Sequence, residues 1–219
     1  MAIVTISRQF GAGGKTLGVN IAKCCNYELV DEQLIEKVAQ KANVSREWVK
    51  NVEKDAGGAL LRQLSSLNPF RRSYLNKAII NQQGYIDGHR YVELLYEIIG
   101  QIYHQGNTVI IGRGGQYILQ SKPGTVHLLL MAEHQDRVRF LKENYDLDQA
   151  QANQIVTRQD KIRINLYRYF GKQDFDNPLL YDLVLNMSRL SMLEASDLVC
   201  QLIQSRRQSS IEAKTSSQD

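Results

Sequence analysis

The sequence predicts an α/β fold, in which a five-stranded, mainly parallel sheet carries helices on both faces. Short apolar segments rich in β-branched residues alternate with longer segments whose apolar residues recur at helical spacing. The first of these segments, residues 2–6, is almost wholly apolar, which is typical of a strand buried on both faces. Strands that alternate with helices favour parallel pairing through right-handed crossovers.

Composition narrows the class of protein. The chain has 219 residues, of which 43% are hydrophobic, and its 27 Lys and Arg nearly balance 23 Asp and Glu. A net charge of +4 favours an anionic small molecule over nucleic acid as partner. We expect no membrane span and no secretion signal, and therefore a cytoplasmic location. We also expect Cys24, Cys25 and Cys200 to form neither a disulfide framework nor a metal cluster, and to pack in a reducing compartment.

The first element is a strand at residues 2–6, which enters a glycine-rich loop and then a helix. The loop and the first helical residues are Gly11, Ala12, Gly13, Gly14, Lys15 and Thr16. Glycines let backbone N–H groups converge on an anion, and the helix N-terminus adds its positive dipole end. Lys15 would reach the β- and γ-phosphates of a nucleotide and Thr16 would ligate Mg²⁺. Gln9 stands where the phosphate-loop pattern has its first glycine; the alternative is a plain structural turn.

A second predicted strand, residues 27–31, ends in Asp31. In a parallel sheet this carboxylate would lie beside the first loop, at the edge where ligands bind. The alternative is that Asp31 caps the helix that follows. Residues 32–105 read as a helical insert, and its basic residues either form a solvated face or line a phosphate pocket. These basic residues are Arg62, Arg71, Arg72 and Lys77.

A third strand, residues 108–111, runs directly into Gly112, Arg113 and Gly114. This order places a guanidinium with a bidentate fork, suited to phosphate, at the same sheet edge as the first loop. The alternative is a surface arginine in a turn. A fourth strand, residues 124–131, contains His127, which we interpret as a core or sheet-end histidine rather than a ligand.

A long helix is predicted from about residue 148 to residue 169, with an apolar stripe on one side. Its other side, with the residues just after it, is basic apart from Asp160. The basic residues are Arg158, Lys161, Arg163, Arg168 and Lys172. They form either a solvated face or a cationic lid that closes on transferring phosphates, and the glycine loop favours the lid. A fifth strand, residues 182–186, and a helix ending near residue 203 follow, and we expect residues 205–219 to be disordered.

The motifs together resemble the P-loop nucleoside monophosphate kinases, and within them the cytidylate kinase-like group. The stretches that carry the resemblance are residues 6–14, 111–114, 160–163 and 181–186. The resemblance implies one P-loop kinase domain at residues 1–204, with a monophosphate-binding insert at about 32–105 and a lid at about 148–172. It implies transfer of the γ-phosphoryl group of ATP to CMP or dCMP, with Mg²⁺.

The resemblance also implies a role for each candidate residue. Residues 11–16 would cradle the phosphates of ATP, and Thr16 and Asp31 would serve the metal. The catalytic candidates are Lys15, Arg113, Arg158 and Arg163. The substrate-binding candidates are Asp31, Lys37, Arg113, Asp160 and Arg168. Lys37 stands where ordinary members carry an arginine, and it lacks the bidentate fork. Two alternatives therefore stay open: a nucleotide-binding regulatory protein with little phosphotransfer, or a kinase for a non-nucleotide small molecule. The oligomeric state is left open.

Overall fold

The computed structural model describes residues 2–54 and 86–215, with side chains to residue 208. Its five strands are β1 Ile3–Arg8, β2 Glu28–Val30, β3 Thr108–Ile111, β4 Thr125–Met131 and β5 Leu183–Asn186. Its helices are α1 Gly14–Cys25, α2 Gln33–Ala42, α3 Arg46–Lys54, α4 Gly88–Gln105, α5 Gly115–Ile118, α6 His134–Tyr145, α7 Gln149–Tyr169 and α8 Met192–Thr215, with a 3₁₀ turn at Pro178–Leu180. The five predicted strands are confirmed.

The strands form one parallel sheet in the order β2-β3-β1-β4-β5. Strand β1 is central, and its Ile3 pairs with Thr108 on one side and Thr125 on the other. This position explains why β1 is apolar and almost wholly buried, since both of its edges and both of its faces are covered. The predicted α/β fold class is confirmed. All five carboxyl ends therefore lie at one edge of the sheet.

The chain divides into two compact units. The first contains the sheet and comprises residues 1–31, 100–160 and 174–219; the second comprises residues 32–99 and 161–173. The second unit takes in most of the predicted insert and the second half of helix α7. The boundaries of the insert and of the lid stay predictions. The basic residues between positions 62 and 77, for which we considered a solvated face or a phosphate pocket, lie outside the described residues.

Within the second unit, helices α2 and α3 are joined by ion pairs. Arg46 pairs with Glu36 at 2.9 Å and with Glu32 at 3.4 Å. The end of helix α7 contributes Tyr169, whose hydroxyl donates to the carbonyl oxygen of Val52 at 3.2 Å. These contacts tie the residues before the undescribed segment to those near the end of α7.

Helix α8 packs on the sheet through Ala195, Val199 and Ile203, which are fully buried. It continues to Thr215, so residues 205–215 are helical where we expected disorder. Two contacts hold this extension: Arg206 donates to Asp182 at 2.6 Å, and the guanidinium of Arg207 lies 4.7 Å from the ring centre of Tyr27. The sequence did not reveal these long-range partners.

The expectation for the cysteines is wrong. Cys24 at the end of α1 and Cys200 in α8 form a disulfide across 176 residues of sequence. The sulfur of buried Cys25 lies 3.5 Å from that of Cys24, and burial raises the pKa of the Cys25 thiol. Cysteine spacing could not indicate the pair, because only the packing of α1 against α8 brings the two helices together.

In the part of the chain that the structure describes, no helix has both the length and the apolar character needed to cross a membrane.

Candidate active site

The loop between β1 and α1 places the N-terminus of helix α1 at the carboxyl edge of the sheet. Gly11 and Gly13 have φ of 85° and 81°, a conformation that favours glycine. Gly13 is the N-cap of α1, and its carbonyl oxygen accepts from the N–H of Leu17 at 2.9 Å. Lys15 and Thr16, the second and third residues of α1, are both exposed. The structure therefore places Lys15 and Thr16 at the start of α1, and their predicted role in binding phosphate stays a prediction.

Gln9 explains why the loop departs from the phosphate-loop pattern. Its N–H donates to the carbonyl oxygen of Leu130 at 3.0 Å, and its side-chain oxygen accepts from the N–H of Ala132 at 3.1 Å. Gln9 therefore extends the pairing of β1 with β4 by one residue. A glycine at this position would lose the side-chain hydrogen bond to Ala132.

The buried side chain of Arg137 contacts and stabilises the glycine loop. Arg137 in α6 donates to the carbonyl oxygen of Phe10 at 3.2 Å and to the carboxylate of Asp160 at 2.7 Å. Asp160 also accepts from the N–H of Phe10 at 3.3 Å. A Cβ built on Gly11 would lie 2.9 Å from the Cβ of Arg137, so the loop backbone packs closely on this side chain. Asp160 thus links helix α7 to the glycine loop.

Asp31 and Arg113 meet at the ends of the neighbouring strands β2 and β3. The Arg113 guanidinium lies 3.4 Å from the Asp31 carboxylate, and the two side chains are 12% and 18% exposed. Arg113 is therefore not a surface turn residue, the alternative considered from the sequence. Asp31 does not cap α2 either, because Glu32 occupies the N-cap position. The carboxylate instead holds the guanidinium fork at the sheet edge.

The remaining cationic candidates fall into both units. Arg158, in the first unit, is exposed. In the second unit Lys37 and Arg168 are exposed, and Arg168 donates to Asn165 at 3.4 Å. Half-buried Arg163 lies 5.5 Å from the ring centre of Tyr167. Their predicted roles in binding phosphate stay predictions.

His127 is a core residue, as predicted. It is 7% exposed, and its Nδ1 lies 2.7 Å from the hydroxyl of Thr5 in β1. Burial lowers the pKa of His127, although Asp182 partly opposes this shift. The neutral ring is consistent with a structural role within the sheet.

A family model described as the cytidylate kinase-like family matches residues 3–189. The chain belongs to this family. No curated protein matches the chain significantly. Among solved structures, an uncharacterized protein from Eubacterium ventriosum ATCC 27560 has a TM-score of 0.66 at 16% identity, over 94% of this chain and 99% of that one.

Two further structures are more distant. Shikimate kinase from Bacteroides thetaiotaomicron has a TM-score of 0.49 at 13% identity, over 93% of this chain and 98% of that one. A gluconokinase from Sinorhizobium meliloti 1021 has a TM-score of 0.47 at 11% identity, over 93% and 94%. Membership of the cytidylate kinase-like family supports a phosphotransferase, and the likeness to the Eubacterium ventriosum protein supports the fold.

The sequence missed three residues that shape the loop. Arg137 is one of several charged residues in α6 and only its burial distinguishes it. Met192 at the start of α8 lies so close to Gly13 that a Cβ there would be 2.6 Å from its terminal methyl group. Arg8, the last residue of β1, packs against Gly14 and Gly112. Only Arg8 had a sequence signal, its position immediately before the loop.

Proposed function

We propose that the protein is an ATP-dependent nucleoside monophosphate kinase that acts on CMP or dCMP. The observation that carries this proposal is the shared sheet edge of the first unit, where the glycine loop and the Arg113–Asp31 pair follow the ends of three adjacent strands. At such an edge, the N–H groups at the start of α1 can donate to the phosphates of ATP, and the guanidinium fork of Arg113 can donate to the phosphate of the acceptor. Family membership supports the choice of acceptor.

The reaction joins an oxygen of the acceptor phosphate to the γ-phosphorus of ATP. The bond from that phosphorus to the β–γ bridging oxygen breaks, and ADP leaves with the electron pair. Charge spreads over the equatorial oxygens of the transferring group, so catalysis depends on positioning and electrostatic stabilisation. We assign the stabilising cations to Lys15, Arg113, Arg158 and Arg163. The acceptor-binding residues in this proposal are Asp31, Lys37, Arg113, Asp160 and Arg168.

The residues present fit Mg²⁺. The hydroxyl of Thr16 is exposed at the start of α1, and the carboxylate of Asp31 follows the end of β2; both are hard oxygen donors of the kind Mg²⁺ takes. Bound there, Mg²⁺ would supply positive charge that offsets the negative charge of the phosphates. Thr16 and Asp31 would hold it, Asp31 directly or through water.

A coupled ADP-release assay on the full chain tests the proposal. We expect turnover with MgATP to be fastest for CMP or dCMP among a panel of nucleoside monophosphates, sugars and antibiotics. A sugar or antibiotic as the preferred acceptor would replace the proposal with a small-molecule kinase. ATP binding without transfer to any acceptor would replace it with a regulatory protein.

Lys15→Met provides the matched test of the site. Lost electrostatic donors cost about 10²- to 10³-fold in kcat, and we expect a loss of that order. Lys23→Met is the control, since Lys23 is exposed at the opposite end of the same helix. Equal turnover of the two variants would remove Lys15 from the mechanism.

We also propose a cytoplasmic location, which the use of ATP and nucleoside monophosphates supports. The Cys24–Cys200 disulfide is the observation against it, because disulfides are rare in the cytosol.

A further inference from the structure

The side chain of Arg8 spans two glycines that follow neighbouring strands. A Cβ built on Gly14 would lie 2.8 Å from the Cγ of Arg8 and 3.1 Å from its Cβ. A Cβ built on Gly112 would lie 2.0 Å from Nη1 of Arg8 and 3.1 Å from its Cζ. The aliphatic part of Arg8 therefore covers the first residue of α1, and its guanidinium covers the residue after β3.

Gly14 is explained by this close approach rather than by its backbone. Its φ is not in the left-handed region, so any residue could adopt its conformation. Alanine has a higher helix propensity than glycine. Only the missing side chain distinguishes glycine here, and Arg8 fills the space. At Gly112, with φ of 72°, the backbone conformation favours glycine.

The strand order fixes the direction in which Arg8 extends. β1 and β3 are neighbours, and the N–H of Gly112 donates to the carbonyl oxygen of Ile6 at 2.9 Å. Arg113 follows Gly112 directly, so Arg8 contacts the residue that precedes Arg113. The stem of Arg8 crosses the N-terminus of α1, where the positive dipole end favours anions. A guanidinium group suits phosphate because its planar fork can donate to two oxygens.

We propose that Arg8 binds the γ-phosphoryl group of ATP as it moves to the acceptor. This inference rests on the proposed function. Arg8 contacts Gly14 of the glycine loop, which is assigned to the donor phosphates, and Gly112, the residue before Arg113, which is assigned to the acceptor phosphate. Its fork can contact oxygens of the transferring group while the bond to ADP breaks, and so stabilise the charge that develops there. Arg8 complements Lys15, which approaches from the helix.

Kinetics of Arg8 variants in the full chain test the proposal. We expect Arg8→Gln to lower kcat about 10²- to 10³-fold, as for other lost electrostatic donors. Arg8→Lys should recover only part of the rate, because an ammonium lacks the planar fork. Arg139→Gln is the control, since Arg139 is exposed and pairs with Asp136 on the surface of α6. Equal rates for Arg8→Gln and Arg139→Gln would overturn the proposal.

Chemical rescue separates phosphate binding from a packing role. In Arg8→Ala, added guanidinium ion should restore part of the rate, whereas ammonium at the same concentration should not. Absence of guanidinium rescue in a folded Arg8→Ala protein would count against a phosphate contact.

Binding measurements keep the test independent of the acceptor. If the wild-type protein transfers phosphate to no acceptor, calorimetry with inorganic tripolyphosphate still reports on Arg8. We expect Arg8→Gln to bind tripolyphosphate at least about tenfold more weakly than Arg139→Gln, since charge-assisted hydrogen bonds contribute about 1.5–3 kcal/mol. Equal affinities would overturn the Arg8 proposal while leaving the proposed function to the transfer assay.

Discussion

At the scale of single residues, the candidate site depends on paired charges as much as on glycines. Asp160 was predicted as a lid residue on family resemblance, and the structure gives it two partners at the glycine loop, Arg137 and the N–H of Phe10. The Arg137 side chain is only 8% exposed, so its charge depends on the carboxylate for compensation. Asp160 therefore has a positioning role whether or not it also contacts substrate.

Asp160→Ala tests this positioning role. Removing one partner of a buried ion pair costs about 3–5 kcal/mol of stability. Because Asp160 is 28% exposed, we expect Asp160→Ala to lower the free energy of unfolding by about 2–3 kcal/mol. Asp136→Ala is the matched control, because its partner Arg139 is 66% exposed and such surface pairs contribute about 0–1 kcal/mol. Urea denaturation measures both. Equal effects would mean that Arg137 finds another partner when Asp160 is removed.

At the scale of helices and strands, the sequence predicted what local patterns determine. Short, mainly apolar segments between helical patterns located all five strands, and parallel pairing placed the glycine loop, Asp31 and Arg113 at one edge. What the sequence missed depends on long-range packing. Arg137 reaches the loop from α6, and Cys200 reaches Cys24 from α8; neither contact leaves a signal in spacing or periodicity. The helical extension to Thr215 was missed because its partners, Asp182 and Tyr27, are remote in sequence.

The disulfide between α1 and α8 gives a prediction at this scale. A cross-link that closes a long loop stabilises the fold mainly by restricting the unfolded chain, and for 176 residues the chain-entropy model gives about 5 kcal/mol as an upper value. We expect reductant to lower the urea midpoint of the wild-type protein and of Cys25→Ser. Cys200→Ser should have the lower midpoint already and should not respond.

The redox state of Cys24 and Cys200 in cells tests the proposed compartment. Alkylation of thiols in intact cells, followed by mass spectrometry, reports whether Cys24 and Cys200 are oxidised there. A reduced pair would agree with the proposed cytoplasmic location. A fully oxidised pair would contradict that proposal. Reductant sensitivity in Cys200→Ser would show that another part of the protein responds to the reagent.

At the scale of the whole molecule, the division into two units determines how a ligand should stabilise the chain. The first unit contains the glycine loop, Asp31 and Arg113, whereas Lys37, Arg163 and Arg168 belong to the second. ATP bound at the loop would supply acceptors for the N–H groups at the start of α1, and these amides would then exchange more slowly. Helices α2 and α3 of the second unit contain no residue assigned to ATP.

We therefore expect MgATP to slow hydrogen exchange in residues 9–18 and to leave residues 33–54 nearly unchanged. A ligand at 100 times its Kd stabilises the state it binds by about 2.7 kcal/mol, and for a chain of this size each kcal/mol raises the Tm by about 2–4 °C, so the Tm should rise by roughly 5–11 °C. Mg²⁺ with adenosine is the control, because it lacks the phosphates that the loop is proposed to bind. Exchange mass spectrometry distinguishes the outcomes: protection spread evenly over both units, or the same protection with adenosine, would contradict phosphate binding at the loop.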